Sequence, residues 1–513
     1  MMQEQAPPMR RGRKRALADT TPRRTVNYRQ LRNPFTPQNV FSQDEVAELH
    51  ATSLRVLREL GIKVLLPEAR DLFAAAGARV VDDMVYLDAD IVDAALATAP
   101  KSFTIHGGTA PREVVMELGT LSFQSGAGAP NVTDLKRGRR PGALRDVEEL
   151  TQMVQHFDAI QMLSPGVEPQ DIAPEVRHYA FTKAQLTLSD KVPFVFSRGS
   201  EQVRDCFEMI RAFRDLSEAE FRAKPHCYTI INTNSPRQID IPMAQGLIDF
   251  ARYGQPSVVT PFCLMGAMAP VTVAGALVLS HAEAMAAITL TQLANPGAPV
   301  MYGSFSSNVD MKSGAPAFGT PEQVKVSLGT GQMARHLGLP WRNAAGCAAN
   351  INDAQAAHET EISAWGALMA GATVIIHAAG WLEGGLSVSY EKFITDMEMV
   401  QVMAELCTPT AADEAAMAFE ALKEVQPGGH FFGCAHTMER YASAFYAPVV
   451  ADWSNFGTWT ERGALDASTR ATALWQEIVA THKPPANVTP ERLRALNAFI
   501  AARTAEGGAF PVS

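Results

Sequence analysis

Eight short apolar runs in this chain end in small or polar residues, and those endings are where chemistry would sit. They read Gln124-Ser125-Gly126, Ser164-Pro165-Gly166, Ser197-Arg198-Gly199, Asn232-Thr233-Asn234, Thr260-Pro261-Phe262, Gly303-Ser304-Phe305, Ala345-Gly346-Cys347 and His377-Ala378-Ala379-Gly380. The set holds no carboxylate pair, no cluster of His and Asp, and no Lys. Metal-dependent hydrolysis and Schiff-base chemistry need such groups, so neither class is expected and no metal ligands are assigned. Amides, hydroxyls and rings remain. Phe262, Phe305 and Trp381 follow three of the runs, and Tyr302 lies just inside another. Aromatic faces attract soft cations, quaternary ammonium above all, through the ring quadrupole. Any one of these rings is equally at home packing a core; only as a group do they argue for a cation cage.

The histidines divide. His377 closes the apolar run TVIIHAAG and is a candidate to face a substrate. His358-Glu359-Thr360-Glu361 lacks the second His that a zinc-binding helix needs four residues on. His281-Ala282-Glu283 falls in an Ala-rich helical stretch and reads as a buried hydrogen-bonded pair. Gly429-His430 with Cys434-Ala435-His436 brings metal-ligating types close together, but spacing alone is a weak signature.

These residues need a scaffold. Strands are expected at 121–125, 159–164, 193–197, 226–232, 256–261, 298–304, 340–345 and 373–378. They alternate with helices at 146–157, 175–189, 200–215, 242–253, 271–294, 320–336, 352–370 and 389–406. Eight strand–helix pairs in order predict an α/β fold, a (β/α)₈ TIM barrel over 119–410 with its chemistry at the strand C-termini. An open doubly wound sheet is the competing arrangement. It would carry a Gly-rich phosphate loop, and Gly126-Ala127-Gly128 lacks the third glycine of that fingerprint. Before the barrel, 1–40 reads as an extended basic arm. Residues 41–118 read as a small N-terminal α+β unit opened by the capping box Ser42-Gln-Asp-Glu45, with Gly61 ending its first helix and a hairpin around Asp82-Asp83. Residues 411–513 read as a helical C-terminal extension.

Composition bounds the rest. With 47% hydrophobic residues the 513-residue chain is expected to collapse into a core. It carries 45 Lys+Arg against 54 Asp+Glu, and a net charge of -9 excludes a general nucleic-acid binder. Six Cys without a CxxC pair suit a reducing cytoplasm. No uninterrupted apolar run reaches the roughly 18 residues of a membrane span, and the opening stretch lacks the apolar core of a secretory signal. A cytoplasmic protein without membrane attachment is expected. The basic cluster Arg10, Arg11, Arg13, Lys14 and Arg15 is of a kind that binds RNA or a membrane, but reads rather as a solvated or domain-clamping tail, and the arm of 1–40 is long enough to wrap a neighbouring subunit of a homo-oligomer.

A set of segments carries a resemblance. They are Arg10-Arg-Gly-Arg13, Pro270-Val-Thr-Val-Ala-Gly-Ala-Leu277, Ala282-Glu283, Pro296-Gly-Ala-Pro-Val300, Thr320-Pro-Glu322, Gly338-Leu-Pro340 and Asp353-Ala-Gln355. Ala379-Gly-Trp-Leu-Glu-Gly-Gly385, Ser389-Tyr-Glu-Lys-Phe393 and Gly428-Gly-His-Phe-Phe-Gly433 with His436-Thr437 complete them. In this order, from about residue 9 to 500, the sequence resembles the trimethylamine methyltransferase superfamily. That resemblance implies a (β/α)₈ barrel and methyl transfer from methylated amines to a corrinoid protein. Founding members carry pyrrolysine near the loop after the seventh strand. The matching segment here, Gly346-Cys-Ala-Ala-Asn-Ile-Asn-Asp353, has only standard residues, so the chain is similar to the branch without pyrrolysine, whose substrates are quaternary amines such as glycine betaine.

A quaternary ammonium is already cationic and leaves as a neutral amine, so its transfer needs orientation and exclusion of water rather than a general acid. The resemblance thus makes sense of a mouth poor in carboxylates. It implies no directly bound cofactor, the cobalamin belonging to the partner protein. His377 and Asn350 are the candidate catalytic residues. Trp381, Phe262, Phe305 and Tyr302 are the expected ammonium cage, with Glu383 as a counter-charge. Arg198, Asn232, Asn234 and His377 are the candidate donors to a substrate carboxylate, and Asn350 and His358 are placed where specificity is set. Glycine betaine is the expected substrate. The alternatives are carnitine, γ-butyrobetaine, proline betaine, another methylated amine, or binding without transfer.

Overall fold

The computed structural model describes residues 27–126 and 128–512. The basic cluster of the arm lies outside them. The described residues fall into two compact units, one of 27–408 with 448–512 and one of 409–447.

The larger unit is an α/β fold. Its central sheet pairs in parallel, in order, Thr120–Phe123, Val374–Ile376, Trp341–Ala344, Val300–Gly303, Ser257–Val259 and Thr229–Ile231. Leu31–Arg32 adds an antiparallel edge to Thr120–Phe123. Two expected strands, 159–164 and 193–197, are reduced to isolated parallel bridges: Gln124 to Met162, Met162 to Val192, and Phe194 to Tyr228. All eight expected helices are present, as Leu144–His156, Pro174–Leu188, Ser200–Arg214, Ile241–Arg252, Val273–Ala294, Pro321–Leu337, Ala354–Met369 and Tyr390–Leu406. Their starts are set by local chemistry. The Thr272, Thr320 and Ser389 side chains each accept from a backbone N–H in the first turn, and Pro occupies the first turn of several helices.

Residues 43–98 form the expected pieces. Ser42 and Glu45 close their capping box, with Ser42 N donating to Glu45 Oε2 at 2.7 Å. Gly61 ends the helical run at φ 69°, and the hairpin Arg79–Val81/Met84–Tyr86 turns through Asp82 at φ 54°. Its sheet also takes in Gln238–Ile239, paired in parallel with Ile62–Val64. Its helices Gln43–Arg55, Pro67–Ala75 and Ala89–Thr98 pack on Val273–Ala294. That last helix is long and apolar enough to cross a membrane by composition, yet it is mostly buried among its neighbours.

His281 and Glu283 lie on this helix and are both buried, but they are not paired with each other. Residues two apart on a helix point to different sides. His281 Nε2 meets His50 Nδ1 at 2.8 Å and its Nδ1 meets the Tyr302 hydroxyl at 3.0 Å. Glu283 accepts from Ser235 Oγ and Arg237 N, both at 2.7 Å.

Two small tiers of strand lie beyond the central sheet. Phe262–Met265 pairs in parallel with Phe305–Val309, which pairs with Pro316–Ala317. Trp381–Leu382, Ser387–Ser389, Asn131–Thr133 and Arg140–Pro141 form the other. These tiers carry the rings of the candidate site.

Candidate active site

A cavity of about 400 Å³ opens where the central strands end. Phe262, Phe305, His377 and Trp381 line it, with Arg198, Asn232 and Arg342. None of the lining residues is Asp or Glu among the described residues. Phe262 and Phe305 are register partners in the outer tier, which brings their rings to 5.0 Å. Phe305 reaches His377 at 5.3 Å and Trp381 at 5.6 Å. Phe318, missed in the sequence, backs this group, stacked on Phe305 at 5.6 Å.

The segment after Val374–Ile376 is shaped to present two rings. His377 sits in the left-handed region at φ 57°, a conformation that costs a non-glycine residue energy and is retained mainly at functional sites. Its imidazole is buried, and burial first, then the charge of Arg342, holds it well below the usual histidine value, so the ring is neutral. Gly380 turns the chain at φ 87°, and its N–H donates to Asp396 Oδ2 at 2.8 Å. Asp396 is fixed by Lys392 Nζ at 2.7 Å, and that ammonium also donates to Thr360 Oγ1 at 2.8 Å. Gly385, at φ 103°, leaves room for the indole: a Cβ there would lie 2.5 Å from Trp381 Cζ2. Glu383 N and Gly384 N donate to Ala349 O and Cys347 O, which stitches this segment to the loop of 345–353. Glu359 holds that loop from below, accepting from Ala348 N at 2.7 Å and Ala349 N at 3.0 Å.

Five expected site residues are not brought into the cavity as free groups. Tyr302 points outward from its strand, opposite in parity to the inward Gly303, and is fully buried against His281. Asn234 is spent on Asp240, donating to Oδ2 and accepting from N, both at 3.0 Å. Glu383 is held by Arg139 at 2.9 Å, so its charge is already countered. Asn350 and His358 are exposed, Asn350 on the clamped loop and His358 on the face of Ala354–Met369 opposite its buried Ala356, Thr360 and Ser363. Arg198 does line the cavity, but both its terminal nitrogens bind Glu168, at 2.6 and 2.8 Å. In the smaller unit Cys434 Sγ lies 3.3 Å from Thr437 Oγ1. No three His, Cys, Asp or Glu come together as a metal-binding group anywhere among the described residues.

Arg342 is a second residue missed. It stands second in Trp341–Ala344, inside an apolar run, and a charge in such a run is the signal that would have found it. It is 2% exposed.

A ring-walled cavity without carboxylates, at the strand ends of an α/β fold, has the form of a small-molecule site. The chain belongs to the trimethylamine methyltransferase family, whose model it matches over residues 9–508, and it is therefore a methyltransferase. It is 34% identical over 473 residues to a glycine betaine methyltransferase of Desulfitobacterium hafniense strain Y51, covering 92% of this chain and 98% of that protein. A trimethylamine methyltransferase of D. hafniense strain DSM 10664 / DCB-2 is 28% identical over 459 residues, covering 88% of this chain and 90% of that one. The crystal structure of the Methanosarcina barkeri monomethylamine methyltransferase overlaps 91% of this chain and 93% of its own, with a TM-score of 0.46 and 11% identity, a likeness too distant to add to the assignment.

Proposed function

We propose that this chain moves a methyl group from a small quaternary amine, glycine betaine first among candidates, to the Co(I) of a corrinoid carried by a partner protein. The observation that carries the reading is the wall formed by His377, Trp381, Phe305 and Phe262 around a cavity free of carboxylates. Such rings hold an ammonium by its charge while leaving its methyl carbons unreacted on their own. The corrinoid is a second substrate, not a resident cofactor. The C–N bond to one methyl breaks, its electron pair stays on nitrogen, and a tertiary amine leaves. The acceptor's electron pair forms the new bond to carbon. No proton moves, so a histidine held neutral by burial suits the task, and the site's work is orientation and exclusion of water.

In this reading the sheet closes into an eight-station (β/α)₈ barrel, the bridges at Met162, Val192 and Phe194 supplying the two stations without regular strands. Active sites of such barrels lie at the strand C-termini, where this cavity is. Six free, buried cysteines support an intracellular setting. Exposed Phe431, Phe432 and Phe445 in the 409–447 unit support a homo-oligomer.

The test is purified protein with Co(I) cobalamin, glycine betaine, carnitine, γ-butyrobetaine and proline betaine in turn, followed by absorbance. Conversion to methyl-Co(III) with one dimethylglycine released per methyl from glycine betaine is expected. No transfer from any of the four, with or without a corrinoid protein, overturns the reading.

A further inference from the structure

We infer that Arg342 forms an anion subsite in the floor of the cavity and holds the carboxylate of a zwitterionic substrate, so that the enzyme selects N-methylated amino acids over simple ammonium cations. The inference rests on the function proposed above and sharpens its substrate class.

Arg342 lines the cavity yet has almost no counterpart in the protein. Its one acceptor among the described residues is the Ser304 carbonyl, 3.1 Å from Nη1. Its Nε is buried without a partner, and no carboxylate lies within ion-pair distance among the described residues. Arg198, on the same cavity, shows the contrast, since Glu168 neutralises it. Burial draws Arg342 down to about 9, which still leaves it charged at neutral pH. A buried, unpaired guanidinium is costly, and one that faces a binding cavity is met by an anion from the ligand. Two further buried nitrogens on the same cavity, the Trp381 Nε1–H donor and His377 Nδ1, also lack partners.

The fold has made space for this side chain. Gly303 is its register partner on the neighbouring strand, and a Cβ there would lie 2.7 Å from Val259 O and 3.4 Å from Arg342 Cδ. The guanidinium carbon sits 5.2 Å from the centre of the Phe305 ring, and that ring also belongs to the ammonium wall. One cavity therefore presents a fixed cation beside a cage for a second cation. A plain quaternary ammonium gains the cage but meets the repulsion of Arg342. A zwitterion satisfies both, its carboxylate on the guanidinium and its ammonium on the rings.

Position gives the orientation. Arg342 leaves its strand two residues before the end, whereas His377 follows the end of its own strand. The carboxylate then lies inward and the N-methyl groups face the mouth, where a methyl acceptor would approach.

The experiment compares glycine betaine, its cationic methyl ester, in which the carboxylate charge is removed and the ammonium kept, and choline, by calorimetric binding and by methyl transfer to Co(I) cobalamin. Wild-type protein is expected to favour glycine betaine over the ester and choline by about 100-fold, the scale of losing one buried charge partner. In Arg342→Met that preference collapses to within about threefold, and Arg342→Lys restores part of it. Should Arg342→Met not fold, the wild-type comparison of betaine with its ester decides alone. Equal binding of the two by wild-type protein, or an unchanged preference in a folded Arg342→Met, overturns the inference. If binding discriminates as expected but no methyl moves, the proposed reaction fails while the subsite stands.

Discussion

The imidazole of His377 lies face to face with the indole of Trp381, ring centroids 4.2 Å apart and planes inclined by 11°. Stacking fixes both rings in one orientation and places a neutral surface where a charged histidine would repel a cation. The left-handed backbone at His377 and the tight turn at Gly380 are what let a strand end and a short outer strand bring the two rings together.

Removal of the larger ring is the direct consequence to measure. A desolvated cation–π contact is worth about 2 kcal/mol, so Trp381→Leu should lower kcat/KM for methyl transfer roughly 30-fold. Trp381→Phe should lose less. Equal activity in Trp381→Leu and wild-type protein would show that the indole holds no ammonium.

Gly385 carries a second expectation. Its φ of 103° and the 2.5 Å approach of a built Cβ to Trp381 Cζ2 leave no place for alanine without moving the indole. Gly385→Ala should keep the overall far-ultraviolet circular dichroism, alter the near-ultraviolet signal of the tryptophans, and cut activity at least as far as Trp381→Leu. An unaltered near-ultraviolet spectrum with full activity would mean that the turn tolerates the side chain.

Much of this was legible in the residues, for physical reasons. Helix starts agreed within two residues because caps and apolar stripes are local signals. Six of eight strand positions emerged for the same reason, whereas 159–164 and 193–197 are apolar runs that pair only at single bridges. Phe262, Phe305, Trp381, His377 and Asn232 share one cavity because each comes after a strand end, and Arg198 joins them after the bridged run of 193–197. What failed depended on partners distant in sequence or on parity. Glu383 could not be known to meet Arg139, 244 residues away. Tyr302 lay one residue out of phase with the inward-facing side of its strand. Arg342 stood out as a charge in its strand, but that it lacks a charged partner shows only once every neighbour is placed.

Acid should destabilise this protein. His281 is held well below its ordinary value by burial and then by His50 and His336. His226 is held at about 3 by burial and then by Arg214, and His377 is lowered by burial and then by Arg342. A histidine lowered in the folded state binds its proton mainly when unfolded. Its contribution is complete above about 6.5 and is lost as pH falls below that value, at about 1.4 kcal/mol per pH unit for each such group. The thermal midpoint should therefore hold steady from pH 8 to 7 and fall steeply between 6.5 and 5. His226→Gln should flatten that slope by one proton's worth. A midpoint unchanged down to pH 5 would contradict the burial of these rings.

The pair Lys392–Asp396 separates stability from positioning. Both side chains are buried, joined at 2.7 Å, and Asp396 alone accepts the Gly380 N–H that sets the turn before Trp381. Breaking a buried ion pair from one side leaves an uncompensated charge and costs about 3–5 kcal/mol. Lys392→Met alone should therefore lower the thermal midpoint sharply. The double variant Lys392→Met/Asp396→Leu removes both charges, and its stability should recover most of that loss, since apolar replacements of a buried pair are often neutral. Its activity should stay low, because Gly380 N–H has lost its acceptor and the His377–Trp381 stack loses its support. Recovery of both stability and methyl transfer in the double variant would show that the pair serves folding alone. Recovery of stability without activity is the outcome that the hydrogen bond from Gly380 requires.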